Sequence, residues 1–214
     1  MYAITHAATA LLVKRRYPSA ALFPLLVGTQ AIELLWVVFV YANIERVDYT
    51  AAGVHLGFLP YSHSIGTSVA LAAVAWLLLR RTPSSPRFAI AVALAIVSHV
   101  ILDIVHHEPD IALLPFASSP RIGLGLSRFP LIDLAVEVLY GVACWALFRG
   151  RKSLLVAILI FNAMDLPLMF PRPDAIRQLA AHRAILPTVI LVQIVLTWTA
   201  VWYFGRRRWL AVSG

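Results

Sequence analysis

The sequence has few charged side chains and almost no cysteine, and both scarcities narrow the classes of protein that it can form. Only 13% of the 214 residues are Asp, Glu, Lys or Arg, whereas 61% are hydrophobic. The single cysteine, Cys144, excludes a disulfide framework and a metal site built on a Cys-x-x-Cys pair. The motifs HExxH and GxSxG are also missing, so the signatures of zincin proteases and of α/β-hydrolases are absent.

The sequence contains long apolar runs, whereas the sequence of a soluble domain would mix apolar and polar residues. Runs of this length and composition are typical of membrane-spanning helices. The sequence therefore predicts an all-α fold, a polytopic transmembrane bundle of about six or seven helices that forms one domain over residues 1–214. The expected crossings are Tyr2–Val13, Ser19–Asn43, Ser62–Leu79, Arg87 through the stretch Ser98–Asp110, Phe129–Phe148, Ser153–Phe170 and Arg183–Phe204.

The net charge of +8 comes from short basic clusters between the apolar runs. Spacing of this kind follows the positive-inside rule and does not form a groove for nucleic acid, so membrane lipids are the expected partners and nucleic acid is not. If the clusters face the cytoplasm, the N-terminus lies outside and the C-terminus inside. The clusters are Lys14–Arg16, Arg80 with Arg81 and Arg87, Arg149 with Arg151 and Lys152, and Arg206–Arg208.

The stretch Ser98–Asp110 places ionisable groups at the end of an apolar helix. Residues at i, i+4 and i+7 share one helix face, so we expect His99, Asp103 and His106 to form a polar stripe. Counting residues along the predicted crossings puts this stripe, and the other ionisable residues of the spans, in the outer half of the membrane. The predicted polar set is thus one-sided.

Five acids within the predicted spans need compensation. At roughly 3 kcal/mol each, unpaired acids would cost on the order of 15 kcal/mol, which rivals the stability of a whole domain. Only Arg128 and Arg183 lie near enough in the sequence to pair with them. A divalent cation held by histidines and carboxylates is the most economical compensation, with a hydrated proton pathway or structural hydrogen bonds as alternatives. The acids are Glu33, Asp103, Asp133, Glu137 and Asp165.

At these residues the sequence resembles the membrane-bound metal-dependent hydrolase family, also described as LexA-binding, inner-membrane-associated hydrolases, and in particular its uncharacterised bacterial branch. The resemblance implies a multi-pass protein of the bacterial cytoplasmic (inner) membrane. It covers scattered motifs in the first two-thirds of the chain: Thr5-His6, PYSHS (Pro60–Ser64), SHVILDIVHHEPD (Ser98–Asp110) and GLGL (Gly123–Leu126).

The resemblance also implies metal ligands at His6, His63, His99 and Asp103. Glu33 stands where the family has an aspartate, which keeps a carboxylate on a longer arm. The family-like histidine before x-Pro-Asp is His107, which we take as the sixth ligand, although helical geometry favours His106.

A metal held by such residues suits hydrolysis. Zinc is the first expectation, with manganese or iron as alternatives. Glu33 or Asp110 could accept a proton from water, and Arg121 or Arg128 could hold a phosphate or carboxylate. The predicted function is therefore a metal-dependent membrane hydrolase for a lipid-like ester. The alternatives are an ion-coupled transporter that uses the buried acids as a relay, and a non-catalytic metal-binding membrane protein.

Overall fold

The computed structural model describes residues 1–50, 53–81 and 86–206, and these residues are mostly helical. The prediction of an all-α fold is therefore confirmed. Arg207 and Arg208 of the last basic cluster lie outside the described residues. The helices are α1 Ala3–Arg16, α2 Leu22–Thr29, α3 Ala31–Tyr41, α4 Ile65–Leu79, α5 Pro86–His106, α6 Pro130–Phe148, α7 Lys152–Met164, α8 Leu166–Met169, α9 Pro173–Ala181 and α10 Ile185–Arg206.

Four helical segments in the described part of the chain are long and apolar enough to cross a membrane: Pro86–His106, Pro130–Phe148, Lys152–Met169 and Ile185–Gly205. These segments indicate a membrane protein. The pair α2 and α3 would add a fifth if it is one broken span. α1 and α4 have only 14 and 15 residues, about 21–22 Å at 1.5 Å per residue, which is shorter than a hydrocarbon core of about 30 Å.

The second predicted span is broken at Gln30, where no proline marks a break. α2 ends at Thr29 and α3 begins at Ala31, and their axes differ by 50°. Gln30 between them has φ −116° and ψ 5°, and its buried side-chain amide donates a 2.7 Å hydrogen bond to the carbonyl of Ala3. The break places Glu33 in the first turn of α3, where the positive end of the helix dipole favours a carboxylate.

The short helix α1 lies at the centre of the bundle. It packs against α2, α5, α6, α7 and α10. Ala7, Ala8 and Ala10 are fully buried, and such small side chains let neighbouring helices approach closely. α2 also approaches α5 closely, because a Cβ on Gly28 would lie 3.0 Å from the Cβ of Ala95. α1 therefore carries Thr5 and His6 directly into the core.

Two of the predicted connections contain short hairpins. Strands β1 (Arg46–Thr50) and β2 (Gly53–Phe58) pair antiparallel, with Arg46 opposite Phe58 and Thr50 opposite Gly53. Strands β3 (Ile111–Ala112) and β4 (Arg121–Ile122) also pair antiparallel. Both hairpins lie between helices and leave the helical architecture unchanged.

The GLGL segment closes the end of α5. The backbone N–H groups of Leu124 and Gly125 donate 2.7 Å hydrogen bonds to the carbonyls of Ile104 and His107. A side chain at position 123 would overlap the carbonyl of Glu108, and Gly125 adopts φ +71°. The backbone of this segment thus satisfies carbonyls at the end of α5, which have no donors within the helix.

Candidate functional site

Five of the six predicted metal-ligand residues lie together. His6 comes from α1, Glu33 from the start of α3, His63 from the turn before α4, and His99 and Asp103 from α5. The Nε2 atom of His99 lies 2.9 Å from Oδ2 of Asp103 and 3.6 Å from Oε2 of Glu33. The Nε2 atom of His63 lies 3.2 Å from the same Glu33 oxygen and 3.7 Å from Asp103 Oδ2. We call this set the five-residue cluster.

The helix break determines which nitrogen of the His99 ring carries a proton. Its Nδ1 lies 2.7 Å from the carbonyl oxygen of Thr29, which can only accept, so Nδ1 carries the proton. In a neutral ring Nε2 is then a lone pair, and it faces a carboxylate oxygen of Asp103 at 2.9 Å. Neither His99 Nε2 nor Asp103 Oδ2 has a hydrogen-bond partner. Two acceptors at this distance require a cation or an added proton between them.

His63 is oriented by a second chain of hydrogen bonds. The buried carboxylate of Glu45 accepts from the backbone N–H groups of Tyr61 and Ser62, both at 2.8 Å, and from the Ser62 hydroxyl at 2.5 Å. Because that hydroxyl donates to Glu45, it accepts from His63 Nδ1 at 2.9 Å. In a neutral ring the Nε2 lone pair of His63 then faces Oε2 of Glu33 at 3.2 Å, as in histidine ligands whose other nitrogen donates to a second group, whereas a doubly protonated ring would donate to Glu33.

His6 completes the cluster on the side of α1. Its ring stacks on the His99 ring, with centroids 3.9 Å apart and planes 13° apart. His6 Nε2 lies 3.2 Å from Asp103 Oδ1 and 3.1 Å from the carbonyl of Met1, while its buried Nδ1 has no partner. The amino group of Met1 lies 2.9 Å from the same Asp103 oxygen.

The two arginines that were near enough on the outer side to pair with the acids bind elsewhere. Arg128 pairs with Glu108 at 2.7 Å, and Arg183 donates to the side chain of Asn43. In the described part of the chain, no Lys or Arg side chain lies within 4.0 Å of any of the five acids in the predicted spans. Their compensation must therefore come from histidines, hydrogen bonds, protons, bound cations or, for Asp103, the amino group of Met1.

The remaining predicted site residues lie around the cluster. His107 pairs with Asp110, with Nδ1 at 3.4 Å from Oδ1, and its ring centroid is 6.0 Å from that of His63. His106 departs from the expected stripe with His99 and Asp103, because it faces Asp133 on α6 at 3.2 Å. Arg121 lies in β4 and is exposed.

A cavity of about 480 Å³ opens beside the five-residue cluster. Its polar lining includes His6, Glu33, Asp110 and Arg128, and Arg121 is not part of it. Its apolar lining comes from α8 and α10: Leu168, Met169, Leu186 and Ile190. A cavity with one charged side and one apolar side suits an amphiphilic ligand.

Two supporting groups were not predicted from the sequence. Glu45 lies in a short polar connection and has no motif around it, so only its buried contacts reveal its role. The Thr29 carbonyl is a backbone group that the helix break leaves available as an acceptor. Side-chain patterns in the sequence do not indicate such a break. The two serines on either side of His63 belong to the PYSHS motif. Ser64 caps α4, because its hydroxyl accepts a 3.0 Å hydrogen bond from the Thr67 N–H.

Comparison of the chain with protein-family models, with curated proteins and with solved structures gives no match. The functional interpretation therefore depends on the geometry of the site and on the motif resemblance described above.

Proposed function

We propose that the chain is a metal-dependent membrane hydrolase whose ion is held by the five-residue cluster. The donor set of three imidazoles and two carboxylates suits zinc, with manganese or iron as alternatives. The observation that carries the proposal is the contact between His99 Nε2 and Asp103 Oδ2, two acceptors that lie 2.9 Å apart without hydrogen-bond partners.

The surrounding hydrogen bonds favour a metal over a proton shared between histidine and aspartate. His99 and His63 both have Nδ1 bound to an acceptor, and both present Nε2 to the same two carboxylates. A protonated His99 would have to donate from Nε2, but its contact with Asp103 does not have hydrogen-bond geometry. Preset tautomers of this kind are typical of metal-ligating histidines.

Bound at the cluster, a divalent ion would supply a Lewis acid that lowers the pKa of a water molecule and polarises an ester carbonyl or phosphoryl oxygen. The chain's own residues have separate tasks. Glu33 reaches both the cluster and the cavity, so its carboxylate can accept the proton of the attacking water when the other four residues hold the ion. Asp110 also lines the cavity and is the second candidate base.

The cavity points to a lipid-like ester as the substrate. Its apolar side formed by α8 and α10 would hold an acyl or isoprenoid chain, while Arg128 would face a phosphate or carboxylate. Arg121 is a weaker candidate because it does not line this cavity.

The proposed setting is the bacterial inner membrane, with about seven crossings, the N-terminus outside and the C-terminus in the cytoplasm. The alternation of basic clusters supports this orientation. In this arrangement α1 crosses as a short helix enclosed by longer ones, so it meets protein and not lipid on most of its surface. α4 packs on α5 and leaves apolar side chains such as Val69 and Leu78 exposed.

Elemental analysis of protein purified without added metal tests the proposal. We expect wild-type protein to retain a transition metal, and His99→Ala or Asp103→Asn to lose one equivalent of it. His182→Ala, which changes an exposed histidine, is the matched control and should lose none. Retention of the full metal content in both cluster variants would refute the proposed centre.

Hydrolysis assays then test the reaction. Long-chain p-nitrophenyl esters and a p-nitrophenyl phosphate should be hydrolysed by metal-loaded wild type and not by Asp103→Asn. A metal-loaded protein that hydrolyses neither class would contradict the enzyme assignment. Proton-driven uptake into liposomes that contain the protein, if it persists in Asp103→Asn, would instead support a transporter.

A further inference from the structure

A second cluster of metal-ligating side chains lies between α5 and α6. It consists of His106, the last residue of α5, and of Asp133 and Glu137, one turn apart on α6. One ligand atom from each lies within 4.8 Å of the other two, and His106 Nδ1 is 3.2 Å from Asp133 Oδ1. None of the three belongs to the five-residue cluster.

The carboxylates of this cluster are held in place by hydrogen bonds and have one basic side chain nearby. Glu137 accepts from the Tyr2 N–H at 3.2 Å and from the Thr5 hydroxyl, and the Tyr2 ring packs edge-on against His106. Asp133 and Glu137 are buried, and His106 is the only basic side chain within 4.0 Å of either among the described residues. When both carboxylates are ionised, one imidazole does not balance their charge, and a bound cation would do so.

The cluster is also reachable. His106 and Asp133 line the same cavity of about 480 Å³ that borders His6 and Glu33, so an ion has an entry path. His106 follows His99 by seven positions on α5, which corresponds to about 10 Å along the helix axis. His99 and His106 thus lie on different turns of α5.

We propose that His106, Asp133 and Glu137 form a second, separate site for one divalent first-row metal ion. One imidazole and two carboxylates suit Zn²⁺ or Mn²⁺. The site does not depend on the proposed hydrolase function, because none of its three ligands belongs to the five-residue cluster. An ion there would present a positive charge to the cavity, where an anionic group of a ligand could bind.

Zinc titration of chelator-treated full-length protein in detergent tests the second site. We expect wild type to bind two equivalents of Zn²⁺, and Asp133→Asn and His99→Ala to bind one each. Loss of a ligand should weaken the second equivalent at least ~100-fold, the upper range for changes to groups that only support ligands. Asp165→Asn removes another buried aspartate and, as the matched control, should bind two equivalents.

The outcomes separate the two sites. A single equivalent that survives His99→Ala but not Asp133→Asn would support the second site and refute the first. A wild type that binds no zinc, or a second equivalent that persists in both Asp133→Asn and His106→Ala, would overturn the second site. If Asp133→Asn fails to fold, Mn²⁺ electron paramagnetic resonance of His99→Ala gives the same test: a bound-ion signal is expected, and Glu137→Gln should remove it.

Discussion

The hydrogen-bond chain from Glu45 through Ser62 to His63 predicts how strongly metal binding depends on a residue that cannot itself touch the ion. Ser62→Ala removes the acceptor of His63 Nδ1, so the ring can rotate or take the other tautomer. Loss of such a supporting group usually weakens metal affinity ~10–100-fold. We therefore expect this loss for Ser62→Ala, which is about 1.4–2.7 kcal/mol of binding free energy.

Thermal unfolding in detergent measures this effect through linkage. At a free zinc concentration of ~100 times the wild-type dissociation constant, metal stabilises the fold by ~2.7 kcal/mol. A 10- to 100-fold weaker site gains only ~0.4–1.4 kcal/mol at the same concentration. Ser62→Ala also leaves Glu45 with one donor fewer, so its stability must be compared with and without chelator.

Ser98→Ala is the matched control for this prediction. Ser98 adjoins His99 on α5, but its hydroxyl donates only to the carbonyl of Ala95, at 2.7 Å within the same helix. Its zinc-dependent stabilisation should equal that of wild type. A Ser62→Ala protein that gains as much stability from zinc as wild type and Ser98→Ala would refute the role of the chain in orienting His63.

Three further predictions concern the helix ends and the topology. Gly123→Ala should lower the free energy of unfolding by ~1–3 kcal/mol, because its Cβ would overlap the Glu108 carbonyl. Gly125→Asn should lower it by less, because Asn tolerates a positive φ. Thermal melts of both variants measure the difference. Gln30→Ala should cost ~0.5–1.5 kcal/mol in the same assay, since it removes the hydrogen bond that joins the helix break to the Ala3 carbonyl of α1, and an unchanged melt would contradict this role. For the topology, single cysteines are placed at Ser118 or Ser153 in a background without the native cysteine. The cysteine at position 118 should react with an impermeant maleimide added outside, and the one at position 153 should react only after permeabilisation. The reverse pattern would overturn the proposed orientation.

The helical architecture followed from the lengths of the apolar runs, because burial in lipid or protein leaves few other structures available. The break at Gln30 was not predicted. It contains no proline, and the energy that maintains it comes from contacts with α1 and α5 that are distant in sequence. The same tertiary contacts explain why α1, the shortest predicted crossing, lies at the centre of the bundle.

Helical spacing grouped His99 with Asp103 because both side chains lie on one face of a continuous helix. It failed for His106, since α5 ends at this residue and its ring turns toward Asp133 on α6. Which residues of other helices meet at His99 depends on tertiary packing, which spacing within one helix does not determine. The motif resemblance pointed to His6 and His63, but it gave no indication of Glu45.

X-ray absorption at the metal edge tests the central claim most directly, since it reports whether an ion is bound by imidazole. We expect His106→Ala protein, which isolates the first centre, to show a nitrogen and oxygen shell at ~2.0–2.1 Å with imidazole scattering if the ion is zinc. His99→Ala added to this background should abolish that signal. A metal-free His106→Ala protein, or an imidazole shell unchanged by His99→Ala, would contradict a metal centre at the five-residue cluster.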